Sequence, residues 1–152
     1  MPTINEFINI ISSGELITDG NRRVGDYDNN GRTNDVFIPI LSLRFDSSVV
    51  ASGSSVVDLY QIPGSGTGIS NESYPFAGGG DGIIGENIDP SASMFVGSFN
   101  TIKPSATEVE FLALPEITLY PDGNRFIIKN ISGQTFHGET QFDIKTSRIP
   151  RT

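Results

Sequence analysis

The segment from Gly25 to Asp35, Gly-Asp-Tyr-Asp-Asn-Asn-Gly-Arg-Thr-Asn-Asp, is the stretch whose residue types and spacing come closest to a binding chemistry. A hard cation such as calcium takes roughly six to eight oxygens, and oxygens at alternate positions of a tight loop converge on one centre. Asp26, Asp28 and Asn30 supply that alternation, Gly31 permits the sharp turn, and Asp35 follows as a further carboxylate. Two departures weaken the match. The twelfth position of an EF-hand loop counted from Asp26 holds Phe37 instead of a bidentate carboxylate. The ninth position, a carboxylate in the Asp-x-Asp-x-Asp-Gly loops that this segment is more similar to, holds Asn34. The plain alternative is a surface turn, because Asp, Asn and Gly favour turns for local backbone reasons. Asp26, Asp28, Asn30 and Asp35 are therefore the candidate ligands, and calcium is the candidate cofactor.

Other chemistry is thinner. His137 is the only histidine, so a Ser-His-Asp triad has no second base to choose, and no Gly-x-Ser-x-Gly elbow supplies a nucleophile. Its setting, Thr135-Phe136-His137-Gly138-Glu139, reads as a solvated turn. With no cysteine and one histidine, zinc would have to be held by carboxylates, and disulfides are excluded. Glu108 and Glu110 are the obvious carboxylate pair for glycoside cleavage, but alternation with Val109 and Phe111 explains them as the solvated side of a strand. The glycines from Gly64 to Gly82 lack a following Gly-Lys-Ser/Thr and are not a phosphate cradle. The expectation is a protein without catalytic residues.

The elements that would carry these residues are strands. In the second half, Ile88 to Thr146, short alternating segments are cut by Pro, Gly and Asn: Phe95, Gly97 and Phe99 alternate with Val96 and Ser98, and Phe126 and Ile128 flank Ile127. Strands are expected at about 94–100, 107–112, 124–130 and 139–145, with Phe95, Phe99, Phe111, Phe126 and Ile128 holding the fold. Earlier, Phe37 to Phe45 puts Leu41, Leu43 and Phe45 on one face, with Pro39 marking an edge strand or a start after the proline. Val56 to Gln61 is a further strand, and the β-branched run Ile4 to Ile11 another. Ser12 to Thr33 and Pro63 to Gly85 read as long polar and glycine-rich loops. Tyr74, Pro75 and Phe76 give the second of these an aromatic anchor.

A chain of 152 residues is the size of one domain, with 36% hydrophobic and 18% charged residues. The reading is an all-β fold, a single antiparallel β-sandwich of the immunoglobulin-like or jelly-roll-like kind spanning residues 1–152. Residues 1–35 form an extended N-terminal arm and loop, and residues 36–152 the sandwich body with the long loop at 63–85. The net charge of −8 argues against a sequence-independent grip on nucleic acid. Met1 to Ser13 has neither a basic leader nor an unbroken apolar run, so no signal peptide or membrane span is expected there.

The run from Asn87 to Phe99, the Leu114-Pro115 pair and the segment from Phe126 to Gly133 resemble a type of small β-protein encoded among the structural genes of tailed bacteriophages. The resemblance covers about the last two fifths of the chain. It implies a homo-oligomeric virion component, a trimer or dimer, made in the bacterial host cytoplasm. Its role would be a capsid decoration or cement protein bridging capsomers, with the major capsid protein or another virion protein as partner. The matching positions are packing and turn residues, so no site residue transfers. Two alternatives stand beside it: a tail or baseplate adaptor or fibre module, and a calcium-dependent carbohydrate-binding β-sandwich using Tyr27, Tyr60 and Tyr74, which the lack of tryptophan disfavours.

Overall fold

The computed structural model describes residues 4–11, 20, 22–27, 36–46, 50–63, 82–84, 92–120 and 123–148. Among them are nine strands: β1 (Ile4–Ile11), β2 (Arg22–Tyr27), β3 (Val36–Leu43), β4 (Ser55–Pro63), β5 (Gly82–Ile84), β6 (Phe95–Asn100), β7 (Glu110–Ala113), β8 (Asn124–Asn130) and β9 (Gln141–Arg148). They form two antiparallel sheets, a four-stranded one ordered β1-β9-β3-β7 and a five-stranded one ordered β5-β2-β8-β4-β6.

The pairing is nested: β1 with β9, β2 with β8, β3 with β7, β4 with β6. The chain is thus one long hairpin rolled up so that its successive ladders alternate between the sheets. That is the jelly-roll connection, which decides between the two sandwich types. The extra strand β5 pairs beside β2.

Alternation builds the core. Leu41 and Leu43 of β3, Val57 and Leu59 of β4, Phe126 and Ile128 of β8 and Phe142 and Ile144 of β9 are all buried in one cluster between the sheets. Phe142 links the two layers, its ring lying 5.4 Å from Phe126 and 6.5 Å from Phe99 across the interior. At one end Phe45 meets Phe136 edge-on at 5.7 Å. Arg44 beside it reaches Ala106 O and Glu139, and so ties three loops together.

Several expectations need correction. Residues 1–35 are not simply an arm, because β1 and β2 are strands of the two sheets. Ser12 to Thr33 is not one loop, since β2 interrupts it, and β5 lies within the expected loop at 63–85. The rest of those two stretches falls outside the described residues, Tyr74, Pro75 and Phe76 included. Pro39 is neither at an edge nor at a strand start: β3 runs from Val36 between β9 and β7. Its carbonyl accepts from Leu114, just past the end of β7, so its missing N–H faces the side where ladder pairing has already stopped.

Phe95 and Phe111 do not hold the fold; they are 45% and 73% exposed. In β6 the register slips, with Gly97 opposite Leu59 but Phe95 opposite Tyr60. The extra residue, Val96, turns inward and Phe95 flips to the outer face. In β7, Leu112 faces the core opposite Leu41, so Phe111 must face out opposite Ser42.

Candidate functional site

Among the described residues, those that could do chemistry do not gather into one group. Asp26 sits in β2 opposite Arg125 of β8, while Asp28, Asn30 and Asp35 lie outside the described residues. No three His, Asp or Glu gather as a metal site among the described residues. His137 occupies a turn: its Nδ1 accepts the N–H of Glu139 at 3.1 Å and its own N–H donates to Arg44 O at 2.7 Å. Glu139 is paired with Arg44 at 2.9 Å, and that contact holds its carboxyl below the ordinary value.

Glu108 and Glu110 are not an exposed pair on one strand. Glu108 lies in the loop before β7, and Glu110 is the first residue of β7. The Oε2 of Glu110 accepts the N–H groups of Ile102 and Lys103 at 2.6 and 2.7 Å, which fixes the β6–β7 connection. Its Oε1 is buried without a partner among the described residues. A cavity of about 360 Å³ opens here, lined by Lys103, Ser105, Thr107 and both glutamates. Ser105 Oγ is itself engaged, accepting the N–H groups of Thr107 and Glu108. The carboxylate thus secures a loop, which is a structural task.

The two outer sheet faces differ more informatively. On the five-stranded sheet the registers place Val24, Ile127, Tyr60 and Phe95 in one cross-strand row. Beside it runs a polar row, Arg22, Lys129, Asp58 and Ser98, in which Ser98 donates to Asp58. Val24, Tyr60, Ile62 and Ile127 of this face are buried in a second apolar cluster with Met94, and Arg22 and Arg125 are buried as well. An outer face with those burials is a covered one.

The four-stranded sheet is open by comparison. Its outer face carries Phe7, Lys145 and Ile38 in one row, Asn9, Asp143, Ile40 and Ala113 in the next, and Gln141, Ser42 and Phe111 in a third. Phe7 is 66% exposed, Val36 and Ala113 are exposed, and Ile38 and Ile40 are half-buried. Asp143 is buried among these neighbours, and burial raises its carboxyl above the ordinary value while a hydrogen bond with Gln141 pulls the other way. This is a mixed surface: apolar residues on β3 and β7 and Phe7 on β1, with the polar row Gln141, Asp143 and Lys145 of β9 running between them.

Alternation alone does not reveal this surface, because it assigns Phe111 to the core. One signal in the residues does: Val36-Phe37-Ile38-Pro39-Ile40-Leu41 is apolar at every position, the pattern of a strand covered on both faces. No protein-family model and no curated protein matches the chain.

Proposed function

We propose that this chain is a non-enzymatic virion structural protein of a tailed bacteriophage, a capsid decoration protein that stabilises the head by bridging neighbouring capsomers. The observation that carries the reading is the asymmetry of the two outer faces. One is closed within the chain and the other presents Phe7, Val36 and Phe111 around half-buried Ile38 and Ile40. Exposed and half-exposed apolar side chains gathered on a rigid sheet, Val36, Ile38 and Ile40 of β3 beside Ala113 and Phe111 of β7, suit a contact surface. The jelly roll supplies the rigid body. The major capsid protein is the partner, and the resemblance of the second half to phage structural β-proteins points to the same setting.

Mass spectrometry and immunogold labelling of purified particles test the proposal. Many copies distributed over the head are expected. A few copies at one vertex would move the protein to the tail or baseplate, and absence from the particle would remove the virion reading.

A further inference from the structure

A β-sandwich has sheet edges, and each exposes backbone N–H and C=O groups that another strand can pair with. The edge strands here are β1 and β7 of one sheet and β5 and β6 of the other. Three of them are blunted. β5 has 3 residues and β7 has 4, too short to template a ladder. β6 has 6 residues but meets its neighbour with two register shifts, which twist the edge away from a regular pairing line.

β1 carries none of these protections along most of its length. It has 8 residues, Ile-Asn-Glu-Phe-Ile-Asn-Ile-Ile, with no proline, no lysine and a single charge. Its ladder to β9 is regular from Ile4 to Asn9, and among the described residues it pairs on that side alone. Phe7, in the middle of the regular stretch, is the exposed aromatic closest to this edge.

From these features we infer that β1 is the dimerisation edge of the protein, pairing antiparallel with β1 of a second copy to join two four-stranded sheets into one. A strand pairs with its own copy across a two-fold axis only in antiparallel orientation, and an axis normal to the sheet keeps outer residues opposite outer residues. That restricts the register to residues facing themselves. Centring on Glu6 sets two acidic residues at directly opposed positions, which is unfavourable. Centring on Phe7 opposes the two Phe7 rings, sets position 5 against position 9 of the second copy, and places position 6 against position 8. This register buries the exposed aromatic, uses the regular part of the strand and brings no like charges face to face, so a second copy fits the edge in a way that needs no other partner. The joined sheets then present one continuous outer face of eight strands, a property that serves a bridging role but does not depend on it.

The chain contains no cysteine, which makes the test direct. Light scattering on the purified full-length protein is expected to give twice the chain mass of 16.4 kDa. Phe7→Cys, at an exposed position, is expected to form an intermolecular disulfide under mild oxidation, whereas Phe111→Cys, equally exposed at the opposite edge of the sheet, is not. Phe7→Glu, which opposes two carboxylates, is expected to return the mass to that of the monomer with an unchanged circular dichroism spectrum. A wild-type protein that is monomeric throughout the micromolar range overturns the inference, as does a trimer. A dimer that cross-links through Phe111→Cys and not Phe7→Cys does so too. Location in the virion is read by a separate experiment, so a dimer absent from particles removes the proposed function alone, and a virion-bound monomer removes this inference alone.

Discussion

Thr146 offers a sensitive test of the core. Its side chain sits on the inner face of β9, two residues beyond Ile144 and opposite Phe37 of β3, fully buried. The hydroxyl has no hydrogen-bond partner among the described residues. A buried hydroxyl without a partner costs roughly 1–3 kcal/mol, whereas replacing it with an apolar group of the same shape removes that cost. Thr146→Val keeps the branched shape and substitutes a methyl for the hydroxyl. It should therefore stabilise the protein by about 1 kcal/mol, allowing for imperfect packing of the new methyl, and raise the melting temperature by roughly 2–4 °C for a chain of this size. Thr140 is the internal control. It is buried too, but its hydroxyl donates to Arg44 O at 3.1 Å and accepts from Arg44 N at 3.2 Å. Thr140→Val should destabilise by about 1–3 kcal/mol, because it strands the Arg44 N–H and removes one of the two bonds that Arg44 O accepts. Urea unfolding followed by fluorescence and circular dichroism reads both variants with one m-value. If Thr146→Val is destabilised as much as Thr140→Val, the Thr146 hydroxyl is bonded in solution, through a buried water, and its assignment as an unsatisfied group is refuted.

Other expectations follow from the same geometry. Phe142→Ala removes the ring that touches both layers and should cost about 3–5 kcal/mol, whereas Phe111→Ala, at a largely exposed site, should stay within about 0.5 kcal/mol; equal losses in thermal melts would contradict the face assignment. Ile127→Thr, on the covered outer face, should cost about 2–3 kcal/mol, while Ile38→Thr, on the open one, should leave melting nearly unchanged and reduce retention on purified heads. Asp143 has a raised carboxyl, so the native state holds its proton more tightly than the unfolded chain. Its contribution to stability is full below the ordinary aspartate value and lost as pH rises through the raised one. Asp143→Asn should flatten the stability curve in that window, and an unaltered slope would count against the burial of this carboxyl. Melting in calcium and in chelator reads the Asp26 to Asp35 segment: bound cation raises the midpoint by mass action, and coincident transitions remove the candidate site.

The strands that alternate cleanly are legible in the residues themselves. β4 and β8 each place two large apolar residues inward, and the span expected for β8 from its alternation, 124–130, is the span it occupies. β2 is not legible in this way. Its sequence, Arg-Arg-Val-Gly-Asp-Tyr, has the composition of a loop, and it is a strand because β8 and β5 pair with it on either side. Tertiary pairing overrides local propensity there. Phe95 departs from its expected place because a single bulge inverts every side chain beyond it, and a bulge leaves no mark in a period-two pattern. The carboxylate of Glu110 escapes a reading by spacing for a related reason: its partners are two amides of the preceding connection, which no interval along the chain reveals.

The two strands with continuous apolar runs make the strongest link between sequence and function. Phe126, Ile127 and Ile128 of β8 are all buried, the outer residue Ile127 by the second cluster on the outside of its sheet, so the run is explained within the chain. The run from Val36 to Leu41 in β3 is explained only in part. Phe37 and Leu41 fill the core, whereas Val36, Ile38 and Ile40 line the open outer face between Phe7 and Phe111. Polar residues would serve a solvated face better at no loss to the interior, since the two faces of a strand are independent in sequence. Under the proposed function, the apolar choice at Val36, Ile38 and Ile40 is accounted for by a partner surface that closes over them.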